Sequence, residues 1–155
     1  MINTKRLRLV ALFIGLLSIS TLAQTSENHN SPSIEGSWSA AVTIDQGPTI
    51  LALVTYGAGG GLTESDILFP PSQVSAGHGN WVAKRRTVNN TIVKLNFDPQ
   101  GQFVGTIKVR EQVVLTYDGA EYTGRGKAEI FDPQGNLLAA INYTTHGRRI
   151  GVQQL

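Results

Sequence analysis

Glu111 is the residue of this chain best placed to do chemistry. It stands between Val109 and Val113, and the same alternating positions carry Ile107, Leu115 and Tyr117. A carboxylate on such an apolar row loses hydration, a penalty of several kcal/mol unless it is paired or protonated. The position suits a polar anchor in a cavity, or a general acid/base with a raised pKa. An internal ion pair, or a bulge that turns the side chain outward, would also explain it. His78 lies at the end of PPSQVSAGHG, just before Trp81. There it could line a barrel mouth and titrate near neutrality, or simply hold a turn. Glu64 and Asp66 share a parity with Leu62 and Leu68. They could work as an acid–base pair, although a polar strand face is the simpler expectation.

Other chemistries lack their residues. There is no Cys, hence no disulfide, thiolate ligand or Cys nucleophile. His29, His78 and His146 are far apart, with no H-x-x-x-H or H-E-x-x-H, so no metal site is expected. There is no G-x-S-x-G elbow for a Ser nucleophile. Gly59-Gly60-Gly61 has no Lys-Ser/Thr after it and reads as a hairpin turn, not a phosphate loop. No cofactor is implied.

These residues need a scaffold, and 155 residues with 41% hydrophobic and 15% charged content suffice for one core. Residues 1–23 read as a signal peptide. Lys5, Arg6 and Arg8 precede an apolar run, and Thr21 and Ala23 are small residues at the −3 and −1 positions of a cut before Gln24. This predicts a secreted or periplasmic protein with no stable membrane span after cleavage. Residues 24–33 read as a polar linker, and 34–155 as the folded domain. The whole chain has 13 Lys+Arg against 11 Asp+Glu, net +2. Three of the bases belong to the leader, so the remainder carries net −1 and shows no basic-aromatic stripe. Nucleic acid is not an expected partner.

Beyond the leader, alternation broken by turn residues replaces any helical period. Strands are predicted over 36–45, 48–56, 61–69, 79–87, 91–97, 102–117, 121–131 and 136–149, joined mostly by short turns, including one at Val88-Asn89-Asn90. Short turns join antiparallel neighbours. The pentapeptide FDPQG occurs at Phe97–Gly101 and Phe131–Gly135, which reads as one hairpin solution used twice. Parity predicts inner faces of Ile50, Ala52, Val54 and Tyr56; of Val93, Leu95 and Phe97; and of Tyr122, Gly124, Gly126, Ala128 and Ile130. Two inward glycines in one strand suggest a bend at a barrel corner. With no helix to cover an edge, the expected fold is all-β, a single antiparallel up-and-down barrel of about eight strands.

Gly36-Ser37-Trp38 opens the first strand and Arg148-Arg149 ends the last. This pattern resembles the lipocalin and wider calycin class, in which such a Trp plugs the closed end under an Arg from the final strand. The resemblance implies a closure role for Trp38 with Arg148 or Arg149. Further segments, His78-Gly79-Asn80-Trp81, Phe97 through Glu111, Tyr122-Thr123-Gly124-Arg125-Gly126 and Phe131 through Gly135, are similar to a group of small secreted bacterial proteins of that shape. The resemblance implies a fold but no activity.

The leading functional expectation is a binder of one small hydrophobic molecule. Tyr56, Trp81, Phe103, Glu111, Tyr117, Tyr122 and Tyr143 are its candidate lining residues. An alternative is a cyclase or isomerase resembling the small barrels that cyclise allene oxides, with Glu111 and His78 as its candidate catalytic groups. A third is a filled barrel that meets a protein partner through its outer face, where Leu51 and Leu53 alternate with Thr49 and Thr55. A cavity below roughly 300 Å³ would argue against the binder and the enzyme together, leaving the filled barrel.

Overall fold

The computed structural model describes residues 31–154. The expected leader and nearly all of the linker lie outside the described residues. Eight strands close into one antiparallel barrel in sequence order: β1 (Gly36–Ile44), β2 (Thr49–Tyr56), β3 (Gly61–Asp66), β4 (Gly77–Lys84), β5 (Thr87–Phe97), β6 (Phe103–Leu115), β7 (Glu121–Phe131) and β8 (Leu137–Arg149). Closure is made by β8 returning to β1, with Trp38 opposite Arg149 and Ile44 opposite Tyr143. A closed ladder leaves no edge strand to protect.

In a meander, alternate turns fall at the same end. One end carries the β2–β3, β4–β5 and β6–β7 turns together with the chain entering β1 and leaving β8. That end is closed. Trp38, Tyr56, Val88, Val113, Leu115 and Tyr122 are almost wholly buried there, with Ile34 beneath them. The Trp38 indole donates to the Ile34 carbonyl at 2.8 Å. Of the two candidate arginines, Arg149 lies over the Trp38 ring, its guanidinium carbon 4.2 Å from the centroid. The same guanidinium donates to the carbonyls of Ser33, Glu35 and Gly119. One cation thereby ties the entry segment, the β6–β7 turn and the first and last strands together. Arg148, with the opposite parity, points outward to Glu121 at 3.1 Å.

The two DPQG turns are built alike. Asp98 Oδ1 accepts from the amides of Gln100 and Gln102, and Asp132 Oδ1 from those of Gln134 and Asn136. Gly101 and Gly135 take φ of 78° and 86° at the exits, a conformation that favours glycine.

Two expectations about β4 and β5 need correction. The turn between them is Arg85-Arg86, with Arg85 at φ 57°, and not Val88-Asn89-Asn90, so β5 begins at Thr87. The inner face of β5 is also the reverse of the one expected. Val88, Asn90, Ile92 and Lys94 point inward, while Val93 and Leu95 are 42% and 47% exposed. Counting apolar residues favours Val93 and Leu95. The barrel turns Lys94 inward because two carboxylates of β3 wait for it there.

Candidate functional site

The open end leads into a cavity of about 120 Å³. Its walls are aliphatic: Ala40 and Val42 of β1, Ala52 and Val54 of β2, Ile107 and Val109 of β6. Leu68 and Phe69, from the long β3–β4 connection, lie at its rim. Three carboxyl groups and one amine line it, Glu64 and Asp66 of β3, Glu111 of β6 and Lys94 of β5, together with the phenols of Tyr122 and Tyr143.

Glu111 projects inward at the centre of a row running across four strands, Asn90–Glu111–Gly126–Tyr143. Thr145 Oγ1 donates to its Oε1 at 2.5 Å, and Asn90 Nδ2 donates to its Oε2 at 3.2 Å. Asn90 Nδ2 also donates to the Tyr56 hydroxyl at 3.0 Å, which carries the network down to the closed end. Burial pushes the Glu111 carboxyl above the usual carboxylate range, against these two hydrogen bonds, which favour the ionised form. Among the described residues no Lys, Arg or His forms an ion pair with Glu111. Burial first, and then the Glu111 charge, raise the phenols of Tyr122 and Tyr143, which stay protonated.

The second polar group is an ion triad. Lys94 Nζ contacts Glu64 Oε2 at 2.5 Å and donates to Asp66 Oδ2, with both Lys94 and Glu64 more than nine-tenths buried. Burial alone would lower the ammonium's pKa, but the two carboxylates outweigh it and raise it. Burial raises the Glu64 carboxyl to about 6, against the pull of Lys94. The expected polar, solvated face for Glu64 and Asp66 is thus replaced by an internal charge cluster.

Glycines explain how side chains on non-adjacent strands meet. A Cβ on Gly126 would sit 2.2 Å from the Tyr143 hydroxyl, and one on Gly124 2.6 Å from Thr145 Oγ1. These glycines of β7 open a window through which β8 side chains reach the neighbourhood of Glu111 on β6. Gly77 of β4 does the same between β3 and β5, because its Cβ would meet Ile92 at 2.4 Å, Glu64 Oε2 at 3.1 Å and Lys94 Cε at 3.3 Å. Replacing Gly126 with Ala should displace Tyr143 and destabilise the fold by about 1–3 kcal/mol, the range for overpacking a filled site. Denaturant titration checks this, and an unchanged midpoint would remove the window argument.

Other candidates lie elsewhere. His78 is exposed on the outer surface of β4, opposite Thr63 and Val93, and does not reach the mouth. Trp81 lies edge-on to Tyr56, centroids 6.1 Å apart, and donates to the carbonyls of Gly57 and Gly61. It braces the closed end and does not line the cavity. Tyr56 is likewise floor, reached only through Asn90. Phe103 is 46% exposed, because an irregular register at Asn96/Phe97 breaks the parity of β6 and leaves it against Phe97. Tyr117 falls beyond the end of β6 and is 85% exposed under the Arg86 guanidinium. Leu51 and Leu53 stand exposed on the outer face of β2. Of the lining residues expected from sequence, Glu111, Tyr122 and Tyr143 meet at the cavity. Lys94 and Asn90 escaped sequence reading, because nothing on β5 alone announces a polar inner face.

Among the described residues no group of acidic, His or Cys side chains has the arrangement of a metal site. No family model, curated protein or solved structure matches this chain.

Proposed function

We propose that this barrel carries one small, largely apolar molecule whose polar end is held at Glu111. The observation that supports the reading is an aliphatic cavity with a carboxyl that has hydrogen-bond partners but no ion-pair partner. A core built for stability alone gains nothing from that carboxyl, since Leu or Val would fill the place without desolvation.

The volume limits the cargo. At about 120 Å³ the space falls below the roughly 300 Å³ expected of a ligand or substrate site. That counts against the enzyme and against a binder of ordinary size, and leaves room only for a much smaller cargo. A cavity of about 150 Å³ holds benzene, so a slim molecule of roughly six heavy atoms is the size that fits. This also weighs against cyclisation of a long hydrophobic substrate, as does the distance in the fold between His78 on the outer wall and Glu111 inside. Carriage outside the cytoplasm agrees with the leader over residues 1–23 and with the resemblance to small secreted bacterial barrels.

Native mass spectrometry of protein isolated from its own cells tests the reading. One stoichiometric adduct of low mass, lost on collisional activation, is expected. An Ala52→Phe variant, which fills the cavity, should fold and carry no adduct. Protein free of any adduct, combined with no response of the cavity residues to n-pentanol in NMR titration, would refute carriage.

A further inference from the structure

The charges inside the barrel do not balance. Glu64, Asp66 and Glu111 face the cavity with one ammonium, Lys94, among them. That ammonium is already engaged by Glu64 and Asp66. Lys94 therefore has little left for an incoming anion, and a ligand carboxylate would bring a fourth acidic group into the same enclosed space.

One enclosed acceptor next to the cavity wall points the same way. Asn90 Oδ1 is enclosed without a hydrogen-bond partner beside Glu111, in a residue only 4% exposed. Glu64 Oε2, by contrast, is held by Lys94 at 2.5 Å. Glu111 uses one lone pair on each oxygen, for Thr145 and for Asn90, and a carboxylate has about four such sites. What this cluster lacks is a donor with positive charge. Tyr122 and Tyr143 border the same space.

We infer that the cargo is a small organic amine, bound as its ammonium at Glu111 with its apolar body toward the open end. This rests on the carrier reading above and adds the chemical class. Binding is an exchange of cations at one carboxyl. Where Glu111 is protonated, the arriving ammonium takes the place of its proton, which leaves to solvent, and no covalent bond to the ligand is made or broken. Burial holds that proton on Glu111 above the usual carboxylate range of pH. The other titratable groups facing the space are Glu64 and Asp66 from β3, Lys94 from β5, Tyr122 from β7 and Tyr143 from β8. The tyrosines stay protonated throughout that range.

The test uses three five-carbon probes: n-pentylamine, n-pentanol and pentanoate, titrated into the purified protein at pH 7 and followed by NMR and calorimetry. The amine should bind about tenfold or more tightly than the alcohol, the scale of one charge-assisted hydrogen bond. Pentanoate should bind weakest. As the pH is lowered from 7 toward 5, amine binding should come to release protons, read as a buffer-dependent heat, and alcohol binding should not. Glu111→Gln should lower amine affinity about tenfold, a larger loss than it causes for the alcohol. Should that variant fail to fold, the buffer-dependent heat on the native protein decides alone. Equal affinities for amine and alcohol, or a preference for pentanoate, would overturn the amine assignment and leave carriage standing. Failure of all three probes to bind would overturn both.

Discussion

Replacing Lys94 with Met should destabilise the barrel by about 3–5 kcal/mol at pH 7, the range for removing one partner of a buried ion pair. Met fills much the same volume, so the loss isolates charge from packing. The two carboxylates left behind, Glu64 and Asp66, lie inside the barrel with no other cation in their cluster among the described residues. Protonation is their only relief. The sign of the pH dependence follows from Glu64, whose carboxyl is raised to about 6 from an ordinary 4.5. A raised carboxyl binds its proton more tightly in the folded state. Its contribution is therefore greatest below about pH 4.5 and is lost as pH climbs through about 6. Without Lys94 this slope should steepen, and lowering the pH from 7 to 5 should restore part of the stability. Denaturant midpoints of both proteins at the two pH values check this. A variant as stable as the parent at pH 7 would show that the triad does not hold the fold.

Replacing Trp38 with Ala should cost a further and separate ~3–5 kcal/mol, the range for truncating a large buried aromatic. Trp38 is fully buried, packs at 5.0 Å against Tyr122 and lies under Arg149, where β1 meets β8. Its loss removes the floor of the core and the surface on which Arg149 rests. Arg149 would keep its three carbonyl acceptors, so the closed end should loosen without opening the ladder. Trp38→Phe should recover part of the loss, because it restores ring packing and omits only the indole hydrogen bond to Ile34. Chemical denaturation of the three proteins measures the series. An Ala variant with an unchanged midpoint would remove the closure role. The two sites share no partner, so the Lys94 and Trp38 effects should add.

Much of the scaffold was legible because β-structure writes itself locally. Strict alternation on β2 and β7, and the Asp-Pro-Gln-Gly turns with their carboxylate and glycine, need no information from outside their own hairpins. Glu111 was legible for the same reason, as one carboxylate against a row of apolar residues. Phe103 and Tyr117 were not, although they extend that row. A register irregularity ends the parity at one end of β6, and the strand stops at Leu115 at the other.

What the sequence determined by itself was the closed antiparallel meander, its turns and the intrusion of one acid into its interior. These follow from short-range chemistry: the period of the strand, the φ that a turn residue permits, and the penalty on a buried charge. Only the tertiary structure decided which face of β5 turned inward and which groups surround Glu111. Lys94 points in because Glu64 and Asp66 stand two strands away, and Gly77 between them leaves room for the contact. Thr145 and Asn90 reach Glu111 from strands on either side, past the glycines of β7 in the first case and by direct pairing in the second. The electrostatic gain of joining such groups depends on their separation in space, which no window along one strand contains.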